Sequence, residues 1–281
     1  DVTVAQRPDA VCANVSVLTT GRDFMGENPV WCPQAQRLWW LDILAPALRW
    51  LDVATGETHR VLLPDLTGGL ALTASGRLLL AGRHGLTLFD PQTKVHTLLF
   101  DPEKHKPDNR FNSASLDPFG NLWIGTMPVD GVSGTGSLYR IGPDLSVAVV
   151  LDEIGMPKNP IATLDGSRLY VSDGRTGVLY AHDIADGALG PGGPIVAGSA
   201  DTGTPNGIAL DEEGCLWVAM LGGWRVNRYD PDGALMRSIA LPVPMPTALA
   251  FGGPQMETLY VTSTYLRMPP GYSTLAPQAG N

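Results

Sequence analysis

The stretch TPNGIALDEEGCLWVAM, residues 204–220, contains two short apolar segments joined by the polar, turn-forming residues Asp-Glu-Glu-Gly. Its second segment recurs along the chain as RLWWLDI from Arg37, RLLLAGR from Arg77, NLWIGTM from Asn121, RLYVSDG from Arg168, CLWVAML from Cys215 and TLYVTST from Thr258. The starts of these copies lie 40, 44, 47, 47 and 43 residues apart. A repeat of about 40 to 50 residues with several short strands is typical of the blades of a β-propeller.

A second apolar run and a turn precede each copy, as in ASLDPFG before NLWIGTM. Asp, Ser and Gly at these turns favour tight hairpins, and further strand-like segments follow, as in GVLYAHDI, residues 177–184. We therefore predict an all-β fold, a six-bladed β-propeller with four-stranded antiparallel blades. A generic β-sandwich is the alternative, but it does not explain six regularly spaced copies.

The repeats begin near residue 24 and continue without a linker, so we predict a single propeller domain over residues 1–281. The segment ANVSVLTTG, residues 13–21, is expected to close the ring by pairing with the last blade. The sequence ends at APQAGN, where the sixth repeat should still add a strand. A C-terminal strand is therefore expected to be missing, either through truncation or because a tail is absent.

Composition narrows the range of partners. The formal net charge is -9 and no run of Lys and Arg occurs, which argues against nucleic acid and anionic membrane surfaces. No apolar stretch reaches membrane-spanning length, and the N-terminal residues lack a basic-then-apolar signal pattern. Cys12, Cys32 and Cys215 are too scattered for a disulfide framework or a zinc site. We expect a cytoplasmic protein acting on a small molecule, although a mature exported chain would look similar; the oligomeric state is not addressed by composition.

The first strand of each propeller blade lines the central channel, so the residues at the entry of these strands form a ring at one end of it. In the six repeats the residues at this place are Glu27, Gly68, Asn112, Asn159, Asn206 and Thr247. The three asparagines lie nine residues before the second strand of their repeat, and the glutamate lies ten before. The circular fold therefore predicts that side chains more than 40 residues apart in sequence converge on one spot.

Carboxylate and amide oxygens are hard ligands suited to Ca²⁺, Mg²⁺ or Mn²⁺. We predict a site for one divalent cation among Glu27, Asn112, Asn159 and Asn206, with Ca²⁺ as the first choice and Mg²⁺, Mn²⁺ or Zn²⁺ as further candidates. The alternative is that each asparagine caps a turn, since Asn-Gly and Asn-Pro are common turn dipeptides. Three asparagines in register with a glutamate favour the metal site.

Two aspartates lie five residues into the second strands of the first and fourth repeats, at Asp42 and Asp173. They would either orient the metal ligands or end their strands and accept hydrogen bonds from loop amides. The sequence leaves both roles open.

MGENPVW from Met25, RFNSASLDPFGNLWIGTM from Arg110, KNPIATLDGSRLYVSD from Lys158 and TPNGIALDEEGCLWVAMLGGWRV from Thr204 resemble four sequence blocks of the senescence-marker-protein / gluconolactonase / regucalcin family. The resemblance covers nearly the whole chain. It implies a six-bladed propeller with one divalent metal in the channel and an enzyme that hydrolyses a sugar lactone. The roles it implies are metal ligation by Glu27 and Asn159, substrate binding by Arg110 and Asn112, and an acidic substrate contact at Asp130 of GTMPVDG.

The chain departs from the family pattern at Asn206, where Pro-Asn-Gly replaces Pro-Asp-Gly. In the family that Asp is a metal ligand and the leading candidate for the general base. Asn206 offers an amide oxygen to a metal but does not accept a proton near neutral pH. Glu27 then remains as the only carboxylate ligand, so we expect the affinity for Ca²⁺ to fall, because ligand charge helps to set it.

These observations favour a divalent-metal-dependent hydrolase that opens a small cyclic ester, with Glu27 and Asn206 as its catalytic residues. The metal would polarise the lactone carbonyl and hold the attacking water, and the base would be Glu27, a neighbouring Asp or metal-bound hydroxide. The alternative is a non-catalytic or weakened propeller that binds a metal or small molecule, because Asn206 replaces the Asp. A protein-interaction propeller has less support, since the polar residues lie in the channel rather than on an apolar rim.

Overall fold

Short antiparallel strands joined by tight turns make up the regular structure of the protein. The structure, a computed structural model, describes residues 4–6, 14–19, 21–266 and 278–280. Within this part of the chain there are 23 strands and no helix. In chain order they are β1 (Gly26–Cys32), β2 (Arg37–Asp42), β3 (Ala47–Asp52), β4 (Glu57–Leu62), β5 (Thr67–Leu72), β6 (Leu78–Gly82), β7 (Gly85–Phe89), β8 (His96–Phe100), β9 (Asn109–Leu116), β10 (Leu122–Pro128), β11 (Gly136–Ile141), β12 (Val147–Ile154), β13 (Pro157–Ala162), β14 (Arg168–Asp173), β15 (Val178–Ala185), β16 (Ala188–Leu189), β17 (Gly193–Ala197), β18 (Thr204–Leu210), β19 (Leu216–Leu221), β20 (Arg225–Tyr229), β21 (Leu235–Ala240), β22 (Pro246–Gly252) and β23 (Thr258–Ser263).

Strands that are neighbours in sequence are also neighbours in each sheet. Four sheets contain four strands in chain order, from β1 to β4, β5 to β8, β9 to β12 and β18 to β21. A fifth contains β13, β14, β15 and β17, with the short β16 attached to β15. The sixth repeat forms the two-stranded sheet of β22 and β23.

The predicted all-β propeller fold with four-stranded antiparallel blades is therefore confirmed, but the number of such blades is wrong. The described residues form five four-stranded blades rather than six. The difference arises in the sixth repeat, because the described chain beyond β23 supplies no further strand to its sheet.

Large apolar side chains fill the space between neighbouring sheets. In one cluster Trp39 of β2 packs with Leu70 of β5 and Phe89 of β7, and all three are buried. The alternation of side chains along each strand lets one sheet present apolar residues to both of its neighbours. This packing holds the first strands of successive repeats side by side, from β1 through β5, β9, β13, β18 and β22 back to β1.

Every one of these six first strands changes register at a β-bulge near its entry. The shifts lie between Glu27 and Val30, Thr67 and Gly69, Phe111 and Ala114, Lys158 and Ile161, Pro205 and Ile208, and Pro246 and Ala248. A bulge bends its strand and re-aims a side chain, and bulges are common beside active sites. The repeated bulge therefore marks one end of the channel as the place where side chains leave the regular sheet pattern.

The six first strands surround a cavity of about 410 Å³. Its wall is mostly apolar and includes one residue from each strand in the set Val30, Leu72, Leu116, Ile161, Leu210 and Phe251. Asn28 and Asn159 are among its polar lining residues. The channel is thus an apolar passage with polar side chains concentrated near the bulges.

The Asp-x-x-Gly turns identified in the sequence are hydrogen-bonded in the same way in different repeats. Asp117 accepts hydrogen bonds from two backbone amides of its own turn and from the indole nitrogen of Trp123 at 3.0 Å. Asp211 does the same, with Trp217 at 2.9 Å. The repeated Asp therefore stabilises the hairpin turn and the tryptophan that follows it.

The first and sixth repeats meet directly. The hydroxyl of Thr247 donates to the carbonyl oxygen of Gly26 at 2.5 Å, and Met25 forms an isolated antiparallel bridge with Thr264. The prediction that residues 13–21 pair with the last blade is wrong for the described residues 14–19, which form no strand. They line a cavity of about 430 Å³ together with residues of β23.

Among the described residues, no helix is long and apolar enough to cross a membrane. Cys32 and Cys215 carry free thiols. Cys12 lies outside the described residues.

Candidate active site

Glu27 is a buried carboxylate at the bulged end of β1, with only 4% of its surface exposed. One of its oxygens accepts a hydrogen bond from the Asn28 amide at 3.3 Å, and the other accepts one from Nδ2 of Asn206 at 3.2 Å. Burial raises the pKa of the Glu27 carboxyl above its ordinary value, and the positive charges of Lys158 and Arg110 oppose that rise together with these hydrogen bonds. The site therefore contains one acid whose proton affinity is set by burial against two cations.

Asn206 connects Glu27 to the opposite side of the channel. Its Nδ2 donates to Glu27 and, at 2.5 Å, to the carbonyl oxygen of Thr247, while its Oδ1 accepts from Nζ of Lys158 at 3.2 Å. An amide nitrogen is a donor and an amide oxygen an acceptor, so these neighbours determine which way the amide faces. Asn206 turns its nitrogen, and not its oxygen, toward Glu27.

Lys158 was not among the residues that the sequence predicted for this site. It lies on β13, half-buried, immediately before the bulge of that strand. Its ammonium contacts Asn206, and its charge acts on Glu27. Glu27, Lys158 and Arg110 together carry a net charge of one positive unit.

A repeated five-residue segment explains why Lys158 reaches the site. Residues 25–29 have the sequence MGENP and residues 156–160 have the sequence MPKNP. The asparagines of the two segments have left-handed backbones, with φ of 49° at Asn28 and 48° at Asn159, and both segments have the bulge at this point. Lys158 is therefore the counterpart of Glu27, three first strands away around the channel. The shared Asn-Pro was the sequence signal that could have identified it.

Asp42 and Asp173 hold these two segments in place. Asp42 accepts hydrogen bonds from the backbone amides of Phe24 and Met25, both at 3.1 Å. Asp173 accepts one from the amide of Met156 at 2.8 Å. Each carboxylate thus binds the backbone two residues before the charged side chain at the channel, which corresponds to the loop-amide role left open by the sequence.

Arg110 lies on β9 and is buried. Its Nη1 donates to the carbonyl oxygen of Phe111 at 2.9 Å, and its charge acts on Glu27. A Cβ atom on Gly68 would lie 2.8 Å from that Nη1 and would also collide with the Phe111 carbonyl. The glycine of the second repeat, which provides no ligand of its own, therefore makes room for the Arg110 guanidinium.

The other two asparagines predicted for the site, Asn112 and Asn159, form hydrogen bonds with partners other than Glu27. Nδ2 of Asn112 donates to the carbonyl oxygen of Pro157 at 3.3 Å and so joins β9 to β13. The backbone amide of Asn159 donates to Oγ of Ser113 at 2.9 Å, and its side-chain nitrogen is buried without a hydrogen-bond partner in the described part of the chain. From this strand it is Lys158, and not Asn159, that is hydrogen-bonded to Asn206.

Asp130 is exposed and lies on the loop between β10 and β11. One of its oxygens accepts hydrogen bonds from the backbone amides of Val132 and Ser133, both at 2.9 Å. These bonds lower the pKa of Asp130 to about 2. Its carboxylate therefore shapes its own loop.

A second group of possible metal ligands, Asp211, Glu213 and Cys215, lies at the turn before β19. The guanidinium of Arg228 contacts both carboxylates, with Nη2 2.7 Å from Asp211. Asp211 also accepts the turn and indole hydrogen bonds described above. This group is an ion-paired hairpin turn whose positive partner is already present.

The donor set beside Glu27 does not fit a divalent cation as it is arranged. Ca²⁺ takes about six to eight oxygen ligands and favours carboxylates. Here the neighbouring amide presents its NH₂ group to Glu27, and its oxygen is engaged by the ammonium of Lys158. An ion beside the carboxylate would meet a hydrogen-bond donor and a fixed positive charge.

Comparisons with known proteins point to one family. A family model described as "SMP-30/Gluconolactonase/LRE-like region" matches residues 25–265. The chain is 34% identical over 244 residues to the 6-deoxy-6-sulfogluconolactonase of Pseudomonas putida. The alignment covers 85% of this chain and 83% of that protein. It is 32% identical to the pentonolactonase XacC of Haloferax volcanii, with coverage of 85% and 81%.

Among solved structures, a regucalcin from Agrobacterium tumefaciens, described as a calcium-binding protein, superposes with a TM-score of 0.88. It is 31% identical, and the match covers 94% of this chain and 90% of that one.

Proposed function

Because the chain belongs to the SMP-30/Gluconolactonase/LRE-like family, we propose that it is a lactonase-type carboxylic ester hydrolase that opens a sugar lactone at the bulged end of the channel. The observation that carries this site assignment is the buried carboxylate of Glu27 facing the cations of Arg110 and Lys158. A carboxylate with a raised pKa and nearby positive charge suits proton transfer near an ester that gains negative charge as it reacts.

Glu27 is the proposed general base. Its carboxylate takes a proton from water while the water oxygen attacks the carbonyl carbon of the lactone. The ring C–O bond then breaks, the ring oxygen receives that proton from Glu27 and leaves as a hydroxyl group, and a hydroxy acid is released. A pKa raised by burial brings the base closer to the working pH and improves both proton transfers.

Four neighbouring residues would position the reacting groups. Arg110 and Lys158 present N–H donors to the carbonyl oxygen as it becomes negatively charged. Asn112 is proposed to bind a substrate hydroxyl group, and Asn206 keeps Glu27 in place through its 3.2 Å hydrogen bond. Asp130 would act at the rim by shaping the loop that the substrate passes.

A divalent metal is suggested for the family by the calcium-binding relative. Glu27, Asn159 and Asn206 would be its protein ligands; Ca²⁺ would be the first candidate and Mg²⁺, Mn²⁺ or Zn²⁺ the others, because carboxylate and amide oxygens are ligands for such ions. When bound, such an ion would polarise the lactone carbonyl. The proposed reaction uses this chain's own side chains and no step through an ion, since the arrangement around Glu27 does not fit one.

The architecture that goes with this function is a closed ring. We propose that the two-stranded sheet is the sixth blade and that the propeller is a single domain. The cavity lined by all six first strands supports this arrangement. The free thiols of Cys32 and Cys215 are consistent with a proposed cytoplasmic location.

One observation favours a second function, which is ligand binding without catalysis. Asn206 cannot accept a proton and stands where the family pattern has an Asp. If Glu27 alone cannot activate water, the channel would bind a lactone or its hydroxy acid and release it unchanged.

A pH-indicator assay separates these functions, because each lactone opened releases an acid. A series of sugar lactones is mixed with the wild-type chain and with Asn206→Asp, with and without added Ca²⁺, Mg²⁺, Mn²⁺ or Zn²⁺. Turnover by the wild-type chain supports the hydrolase. Turnover by Asn206→Asp alone favours ligand binding, and no turnover by either protein rejects the enzyme.

A further inference from the structure

We propose that the ammonium of Lys158 occupies the cation position of the channel site, so that this chain acts on its lactone without a resident divalent ion. The inference rests on the proposed function only in placing the substrate at this end of the channel. It concerns what balances the charge of Glu27, which is a question separate from turnover.

The first support is the place of Lys158 in the ring. MGENP and MPKNP put Glu27 and Lys158 at equivalent backbone positions of the first and fourth repeats. These strands lie on opposite sides of the channel, because β5 and β9 separate them in one direction and β18 and β22 in the other. A carboxylate and an ammonium therefore approach the channel axis from opposite sides.

The second support is the orientation of Asn206 between them. For a divalent ion to bind Glu27 and Asn206 together, the amide oxygen would have to face the ion beside the carboxylate. Instead Nδ2 faces Glu27 at 3.2 Å and the Thr247 carbonyl at 2.5 Å, and Oδ1 faces Nζ of Lys158 at 3.2 Å. The ammonium thus binds the amide oxygen that the ion would need.

The identity of residue 206 fits this arrangement. An Asp at this position would bring a second carboxylate oxygen toward Glu27 and toward the carbonyl of Thr247, and a cation between them or a proton on one carboxylate would be needed to relieve that repulsion. Asn206 replaces the repulsion with two donated hydrogen bonds. The presence of Asn at 206 and of Lys at 158 therefore has one electrostatic explanation, in which a fixed side-chain cation takes the place of a bound ion.

The positive charges around Glu27 also argue against a bound divalent ion. Glu27 is faced by Lys158 and Arg110, so this group already has an excess of positive charge before any ion arrives. A divalent ion would add two further positive charges at short range in a buried site, where screening is weak. The same excess charge favours a substrate carbonyl that becomes negative, or an anionic substrate.

Titration calorimetry with Ca²⁺ and with Mn²⁺ tests the proposal. Binding at the channel is defined as the part of the calorimetric binding signal that is lost in Glu27→Gln. The proteins compared are the wild-type chain, Lys158→Asn, and the double variant Lys158→Asn with Asn206→Asp. Lys94→Asn, an exposed change between β7 and β8 at a residue with φ of 60°, is the matched control.

We expect the wild-type chain and Lys94→Asn to show no channel binding up to about 1 mM ion. The double variant should bind one ion at the channel at least about tenfold more tightly than the wild-type chain does. It should also melt at a higher temperature when the ion is added. Wild-type lactone turnover should survive dialysis against a chelator.

Two results would overturn the proposal. One is a wild-type chain that binds an ion at the channel with an affinity that Lys158→Asn leaves unchanged. The other is a folded double variant that binds no ion, because removal of the ammonium should open the site. Since calorimetry needs no turnover, loss of the hydrolase function and loss of this inference are recognised separately.

Discussion

Residues 25–29 and residues 156–160 have the same local structure and opposite charge. Each segment begins at a methionine whose amide is bound by an aspartate, and each has a left-handed Asn followed by Pro. The residue before that Asn is Glu27 in one segment and Lys158 in the other. The backbone is therefore repeated, and the side chain that enters the channel is not.

The difference shows how a repeat protein separates fold from chemistry. Hydrogen bonds to the backbone from Asp42 and Asp173 do not depend on which side chain follows. The charged side chain lies immediately before the bulge in both segments, so it can change sign while its strand is kept. Function in this chain follows from where the repeats differ.

Replacing the negative member of the pair should have the largest effect. Glu27→Gln keeps the shape of the side chain and removes the proposed base, so we expect kcat for lactone opening to fall about 10²- to 10⁴-fold. The assay is pH-indicator turnover on the folded variant, with the exposed Glu212→Gln as control. A Glu27→Gln protein with unchanged kcat would remove Glu27 from the mechanism.

Replacing the positive member should have a smaller effect on the same reaction. Lys158→Met removes one donor to the developing oxyanion and leaves Arg110 in place, and the expected loss in kcat is about 10²-fold. Lys158→Arg, which keeps the charge, should recover part of it, and the exposed Lys94→Met should change nothing. Equal kcat for Lys158→Met and Lys158→Arg would show that charge at this position does not matter.

The left-handed asparagines offer a comparison that involves stability alone. Oδ1 of Asn28 accepts from the amides of Leu70 and Ala114 at 2.9 and 2.8 Å, and its Nδ2 donates to the Ala114 carbonyl at 3.2 Å. Asn28→Gly leaves these buried groups unpaired and should lower the free energy of unfolding by about 1–3 kcal/mol.

Asn159→Gly is the matched variant. Its φ of 48° suits glycine, and the hydrogen bond from the backbone amide of residue 159 to Ser113 is kept. We expect a change within about 0.5 kcal/mol. Urea unfolding measures both variants. Similar losses would mean that the side chain of Asn28 does not join the blades as described.

The sequence predicted the fold well where the repeat is expressed in strand pattern and turn chemistry. Each of the six second strands forms, and the Asp-x-x-Gly turns of Asp117 and Asp211 bind their tryptophans alike. It failed at the sixth blade, because a propeller blade needs strands that the described sixth repeat does not supply. A spacing pattern identifies where a repeat starts, but it does not ensure that all its strands form.

In the fourth repeat the structure adds Lys158, the residue before the predicted Asn159, to the group around Glu27. Counting back from the second strand selected Asn159, which does line the channel cavity, whereas Lys158 lies immediately before the β-bulge and donates to Asn206. Comparison of ENP with KNP would have selected Lys158. The orientation of Asn206 could not be predicted, because it depends on Glu27 and Lys158, which are 179 and 48 residues away in sequence.

The smallest effect is expected in the pH dependence of stability. Because burial raises the pKa of folded Glu27, the unfolded chain loses this proton at a lower pH than the folded chain does. At low pH both states keep the proton, and Glu27 adds no penalty. Above the ordinary glutamate pKa of about 4.3, the folded state loses stability progressively, and once the folded group also ionises the loss stays constant.

Glu27→Gln has no such proton, so the difference in unfolding free energy between this variant and the wild-type chain should shift in favour of the variant as pH rises from about 4 to neutrality. Urea unfolding across this range measures the difference, and Glu212→Gln controls for the loss of one carboxylate. A difference that moves the other way would mean that Lys158 and Arg110 outweigh burial, so that the charged form of Glu27 is the one that the folded channel stabilises.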